Sequence, residues 1–152
     1  MKIPIASDHA GFDMKQHILQ HLSNKYDFED LGVYTPERAD YPDYAKRVVN
    51  YLVEHSENKN LEQESPVKTK GILLCGSGNG MQMTANKYPF IRAALCWNEE
   101  IAKLARQHND ANILVLPARF IEAGEVYKCV DAFFSTEFEG GRHLERVKKI
   151  NG

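Results

Sequence analysis

The sequence predicts an α/β fold: a three-layer α/β/α sandwich around a five-stranded, parallel, Rossmann-like sheet, doubly wound, in a single domain over residues 1–152. Three observations predict it. Short apolar runs alternate with stretches of helical periodicity along the chain, which implies parallel strands joined by right-handed crossovers. The apolar run Gly71-Ile72-Leu73-Leu74-Cys75 passes directly into the glycine turn Gly76-Ser77-Gly78-Asn79-Gly80. Such a junction belongs at the carboxyl edge of an open sheet, where ligands bind. The length, 152 residues, suits one domain with a real core.

The elements follow in order. Residues 2–6 read as the first strand, and Ser7-Asp8-His9-Ala10-Gly11 as a turn. Met14, Ile18 and Leu22, four apart, mark a helix. Residues 26–31 are a second strand and 32–40 a loop. Pro42 and Asp43 suit a helix start, and Tyr41, Tyr44, Ala45, Val48, Val49 and Leu52 give that helix one apolar face. Residues 54–70 are polar and contain Pro66. They read as a fraying helix end and a solvated surface insertion at about 57–69. The strand at 71–75 leads into a helix that runs to about Tyr88, stopped by Pro89. Residues 91–97 are a fourth strand. Asn98 caps the next helix, with Glu99 and Glu100 in its favourable first turn. Residues 112–116 are a fifth strand. Ala123, Val126, Tyr127, Val130, Phe133 and Phe134 mark another amphipathic helix, and Leu144, Val147 and Ile150 a last short one at about 141–150.

Nineteen basic and twenty-one acidic residues give a net charge of −2. Bulk charge therefore points to neither nucleic acid nor a membrane surface. No apolar stretch is long enough to cross a bilayer. The first residues have no signal-peptide pattern. Three widely spaced cysteines, Cys75, Cys96 and Cys129, suggest neither a disulfide framework nor a zinc site, which fits a reducing cytoplasm.

The chemistry concentrates where strands end. Cys75 closes a strand against a glycine turn whose amides can hold an anion or a developing oxyanion. A helix N-terminus there favours a thiolate, and the Ser77 hydroxyl is placed to hydrogen-bond the sulfur. Cys96 and Cys129 read as small buried hydrophobes. The turn is not a Walker A loop, since no Gly-Lys-Ser/Thr follows. As a dinucleotide fingerprint its third glycine falls one place early, although Glu99 and Glu100 follow about 20 residues on. A C-x5-R phosphatase needs an arginine where this chain has Met81. Asp8 and His9 follow the first strand and share the sheet edge of Cys75, with helix capping by Asp8 as the ordinary alternative. Ile101, Leu104, Ala105 and His108 lie at i, i+3, i+4 and i+7, so a histidine sits on the inward face of its helix. It is either a satisfied core residue or, near its unperturbed pKa of roughly 6.5, a proton carrier. Arg142 and Arg146 share one helix face, and Arg119 follows the fifth strand. Guanidinium forks match phosphate oxygens, whereas Lys148 and Lys149 read as a solvated face.

Taken jointly, Ser7-Asp8-His9-Ala10-Gly11-Phe12, Asp40-Tyr41-Pro42, Cys75-Gly76-Ser77-Gly78-Asn79-Gly80, Ala85-Asn86-Lys87, Arg106-Gln107-His108-Asn109-Asp110-Ala111-Asn112 and Gly140-Gly141-Arg142-His143 with Arg146 resemble the type B ribose-5-phosphate isomerases. Their wider family includes the galactose-6-phosphate isomerase subunits. The resemblance implies interconversion of ribose 5-phosphate and ribulose 5-phosphate in the non-oxidative pentose phosphate pathway, without metal or organic cofactor. It implies ring opening by His108, and contact of Asp8 and His9 with the sugar phosphate. Cys75 would move the proton between C2 and C1. The amides of Gly76, Ser77, Gly78, Asn79 and Gly80, with Asn109, would hold the enediolate and sugar oxygens. Arg119, Arg142 and Arg146 would hold the phosphate. It further implies a homodimer or homotetramer whose sites are each built from two subunits. Some relatives place a glutamate just after the glycine turn as the base. Met81 stands there, so the base role falls to Cys75. Three rivals remain at this point: a hexose-phosphate isomerase, a non-catalytic nucleotide-binding domain using Glu99 or Glu100, and a redox sensor at Cys75.

Overall fold

The computed structural model describes residues 1–56 and 69–152. The insertion expected at 57–69 therefore lies outside the described residues, apart from Thr69. Five parallel strands form one sheet in the order β2-β1-β3-β5-β4: β1 Ile3–Ser7, β2 Phe28–Asp30, β3 Gly71–Cys75, β4 Ala93–Leu95 and β5 Ile113–Pro117. The helices are α1 Phe12–Leu22, α2 Tyr41–Glu54, α3 Asn79–Ala85, α4 Glu99–Asn109, α5 Ala123–Ser135 and α6 Arg142–Lys148. No helix of the described residues is long and apolar enough to cross a membrane.

Right-handed crossovers decide which helix covers which face. From β1 the chain moves outward to β2 through α1, then returns past β1 to β3 through α2. The two helices must lie on opposite faces. Ile5, Ile72, Leu74, Leu114 and Leu116 pack with Ile18 and Leu22 of α1, Ala102 and Ala105 of α4, and Val126, Val130 and Phe133 of α5. The alternate positions, Ala6, Leu73, Cys75, Ile113 and Val115, pack with Val48, Val49 and Leu52 of α2 and Met81 and Ala85 of α3. The period of two along each strand thus builds two cores. The central register aligns Ile72 with Leu114 and Cys75 with Pro117.

The expected architecture is the observed one, with shorter ends. The second and fourth strands shrink from six and seven expected residues to three each. Both lie at the margins of the sheet and pair on one side only. The helix expected to reach Tyr88 ends at Ala85, and turn hydrogen bonds from Lys87 and Tyr88 carry the chain onward. Asn98 caps α4 as expected, its side chain accepting the Ile101 N–H at 2.9 Å. The last helix starts after Gly140 and Gly141, both with positive φ.

Candidate active site

The chain reverses direction between β1 and β3, so the crevice for a ligand lies at their carboxyl ends. Asp8 leaves β1 there, 6 % exposed. Its Oδ1 accepts the Gly11 N–H at 3.1 Å and caps the short turn His9–Gly11. The capping expected of Asp8 is therefore real, and it fixes the carboxylate at the sheet edge. His9 Nδ1 lies 3.2 Å from both the N–H and the carbonyl oxygen of Ala39. That bond joins the turn to the loop after β2. The fully buried Lys15 anchors the same loop, donating to Asp30 at 2.5 Å and to the Val33 carbonyl at 2.7 Å. Burial pulls its pKa below the ordinary value despite Asp30.

Between turn and loop lies a hollow of ≈ 430 Å³ lined by Asp8, His9, Arg38, Ala39, Asp40, Tyr41, Pro42 and Asp43. Sequence reasoning missed Arg38; it placed Tyr41 on an apolar helix face and in the Asp40-Tyr41-Pro42 motif but gave it no role at the site. Nothing local marks Arg38, because the entry of α2 into the fold brings it to Asp8.

Two glycines shape the other wall. Gly78 has φ +80°, and a Cβ there would lie 2.3 Å from Leu95 Cδ1. A Cβ on Gly80 would lie 2.6 Å from the Tyr41 ring. With both bare, the chain turns tightly enough for the Met81, Gly78 and Gly80 N–H groups to face the Cys75 sulfur. Cys75 is 4 % exposed. Burial pushes its thiol above the ordinary value, the Met81 amide opposes this, and the Asp8 carboxylate adds to the rise. The net direction is upward. The expected lowering by the helix end is therefore overturned, because desolvation outweighs the amides. Nor does Ser77 supply the sulfur's partner. It is exposed, and its Oγ accepts the Asn79 N–H at 3.3 Å. Ser77, Asn79 and Gly76 form the rim. Arg119 joins them: its N–H donates to the Gly76 carbonyl at 3.0 Å, and its side chain lies over Gly76.

His108, Asn109, Arg142 and Arg146 are elsewhere. Helix α4 leaves the carboxyl end of β4 and returns to the amino end of β5, so its last residues reach the opposite edge. Arg92, just ahead of β4, bonds the Asn109 carbonyl there at 3.2 Å. The two groups are separated by about the length of a five-residue strand, roughly 16 Å. His108 stacks on the buried His143 of α6, with centroids 4.3 Å apart and planes at 12°. His143 Nε2 is 3.5 Å from a Glu139 carboxylate oxygen. Burial first, then His108, lowers the His143 pKa. Donor atoms of His108, Glu139 and His143 lie within 4.8 Å of one another. In nearly parallel rings, however, the in-plane lone pairs do not converge on one point, so the arrangement is a stack and not a preformed metal centre. A second hollow at this edge, ≈ 330 Å³, is lined by Met1, Lys2, Ile3, Thr69, Lys70 and Phe134 and contains no predicted site residue.

Residues 3–150 match the family model described as Ribose/Galactose Isomerase. The ribose-5-phosphate isomerase B of Escherichia coli K12 is 37% identical over 150 residues, covering 98% of this chain and 93% of that protein. A crystal structure of a ribose 5-phosphate isomerase from Thermotoga maritima superposes with a TM-score of 0.88 at 49% identity, covering 99% of this chain and 97% of that one. The ribose-5-phosphate isomerase B of Mycoplasma genitalium, solved with bound ribulose-5-phosphate, gives a TM-score of 0.87 at 42% identity over 99% of this chain and 93% of its own.

Proposed function

The chain belongs to the ribose/galactose isomerase family, and from that premise we propose that it interconverts ribose 5-phosphate and ribulose 5-phosphate with Cys75 as the proton carrier. One observation supports the role of Cys75 most strongly: a buried sulfur faced by three main-chain N–H groups at the ligand-binding edge of the sheet.

Aldose–ketose isomerisation moves a proton from C2 to C1 through an enediolate. The Cys75 thiolate takes the C2 proton and returns it to C1, while the O2 hydroxyl proton passes to O1 and C2 becomes the carbonyl. The Met81, Gly78 and Gly80 amides stabilise that thiolate when it forms. Gly76, Ser77 and Asn79 at the rim, with Asn109, hold the sugar oxygens and the enediolate. Each such donor stabilises developing charge by about 3 kcal/mol. Asp8 and His9 grip the sugar. A hydroxyl that donates to Asp8 takes up part of its charge, which relieves the push on the Cys75 thiol once substrate is seated. Ring opening needs a proton removed from the anomeric hydroxyl and one given to the ring oxygen, the task assigned to His108. Arg119, Arg142 and Arg146 clamp the phosphate and hold C2 in place.

His108, Asn109, Arg142 and Arg146 lie too far from Cys75 to serve the same chain's sulfur. The reading therefore requires a second copy, with the amino edge of one subunit completing the carboxyl edge of the other. Exposed Trp97 and Phe120 follow β4 and β5 on the carboxyl edge, and such apolar surface suits contact with a partner. Placement in the cytoplasm fits three cysteines that are all free and buried.

The test is an isomerase assay on ribose 5-phosphate, comparing wild type with Cys75→Ala. The wild type is expected to form ribulose 5-phosphate, and the variant to bind substrate while barely turning over. Substantial residual turnover removes Cys75 from the role. A parallel assay with hexose phosphates measures specificity.

A further inference from the structure

We propose that Arg92 is a positioning residue that clamps the end of α4 and so presents His108 and Asn109 to the neighbouring subunit's Cys75. The proposal rests on the shared-site reading above and names what holds the amino-edge half together.

Arg92 precedes β4, and its backbone N–H is fixed by Asn112 Oδ1 at 2.8 Å. Its guanidinium reaches acceptors on two residues at the end of α4. Nε donates to the Asp110 carbonyl at 2.9 Å and to the Asn109 carbonyl at 3.2 Å, and Nη2 donates to Asp110 Oδ2 at 3.0 Å. Asp110 ends α4 in the left-handed region, φ +47°. Its other carboxylate oxygen accepts from Arg106 at 2.9 Å. Arg106, 4 % exposed, also donates to the carbonyls of Ala111 and Thr136. Two guanidinium groups thus fix the backbone of a turn whose next residue, Ala111, is packed in the core. Ala102 and Ala105 bury the body of α4, whereas Asn109 is exposed.

The carbonyls at a helix C-terminus lack intrahelical partners, and a cation there is favourable. A planar fork can serve two carbonyls and a carboxylate together, which an ammonium on a flexible stem does poorly. Without Arg92 the helix body remains, but the residue beside His108 loses its fixed place. A displacement of about 1 Å in a catalytic group costs on the order of 10²-fold in rate.

The experiment uses Arg92→Met in the full-length protein. Turnover of ribose 5-phosphate is expected to fall about ten- to a hundredfold, while iodoacetamide alkylates Cys75 at the wild-type rate. Arg92→Lys should recover only part of the loss. Co-expressed Arg92→Met and Cys75→Ala chains should regain activity, because one site of each mixed dimer then joins an intact Cys75 to an intact α4 end. Mixing Arg92→Met with His108→Ala should give no gain, since both defects lie in the same half-site. The Cys75→Ala and His108→Ala pair is the control. If the control fails to complement, the shared site itself is refuted. If it complements while Arg92→Met has wild-type turnover, slows alkylation, or is rescued by His108→Ala instead, the role of Arg92 alone is refuted. Should Arg92→Met not fold, Asp110→Asn, whose side chain tolerates the left-handed backbone, replaces it with the same outcomes expected.

Discussion

Around Cys75, at the carboxyl edge of the sheet, main chain does the holding: three amides face the sulfur, and two glycines bring them there. At the amino edge, side-chain ions do it: Arg92 and Arg106 converge on Asp110 and the carbonyls beside it. The difference follows from what each edge presents. A parallel strand ending against a helix N-terminus leaves N–H groups pointing at the ligand crevice, and these suit a sulfur or an oxyanion. A helix ending at the opposite edge leaves carbonyls, and cations there are favourable partners. The proposed function accordingly puts proton abstraction at carbon at one edge, and a positioned histidine with arginines at the other.

The sharpest break of the carboxyl edge is Cys75→Ala. Turnover should fall by about 10²–10⁴-fold, with retained binding measured by calorimetry. Next comes Gly78→Ala, which forces a Cβ into Leu95 at a positive φ. It should lower unfolding stability by about 2 kcal/mol in urea titrations and reduce turnover beyond what the stability loss explains.

The thiols sharpen the comparison through pH. Cys96 and Cys129 are both pushed up to about 12 from an ordinary 9.0, by burial above all. The folded state then keeps protons that the unfolded chain releases, so their stabilisation is full below pH 9 and is lost as pH rises towards 12. Thermal unfolding across that window should show the loss, and Cys96→Ala should flatten it. At Cys75 the smallest effect is expected from Asp8→Asn, which keeps the cap but removes a charge that raises the thiol's pKa. Alkylation of Cys75 should then begin at lower pH than in wild type. An unchanged profile would remove Asp8 as an electrostatic partner.

Much of this was legible in the chain. Alternating apolar runs give the sheet, and the strand-end positions of Asp8, His9 and Cys75 bring them to one edge. Strand ends were less legible, because an apolar pattern such as 91–97 continues past the point where a margin strand loses its partner. The state of the Cys75 thiol was not legible at all. Local order suggests a helix end that lowers the pKa, but α2 and α3 cover the sulfur and reverse the sign. The inward face of α4 marked His108, yet only the return path of that helix reveals that it lies a full strand length from Cys75. Arg38 reaches the hollow through the loop pinned by Lys15 and His9, a long-range effect with no local signature, whereas the neighbouring Asp40-Tyr41-Pro42 motif was visible but without a role.

The measurement that reaches furthest is the activity of mixed dimers of Cys75→Ala and His108→Ala, each inactive or crippled alone. Random pairing makes half the dimers mixed, each with one intact site, so activity should return to roughly a quarter of wild type in a symmetric dimer. Mixtures no more active than the separate variants would mean that Cys75 and His108 do not meet across subunits, and the account would fail.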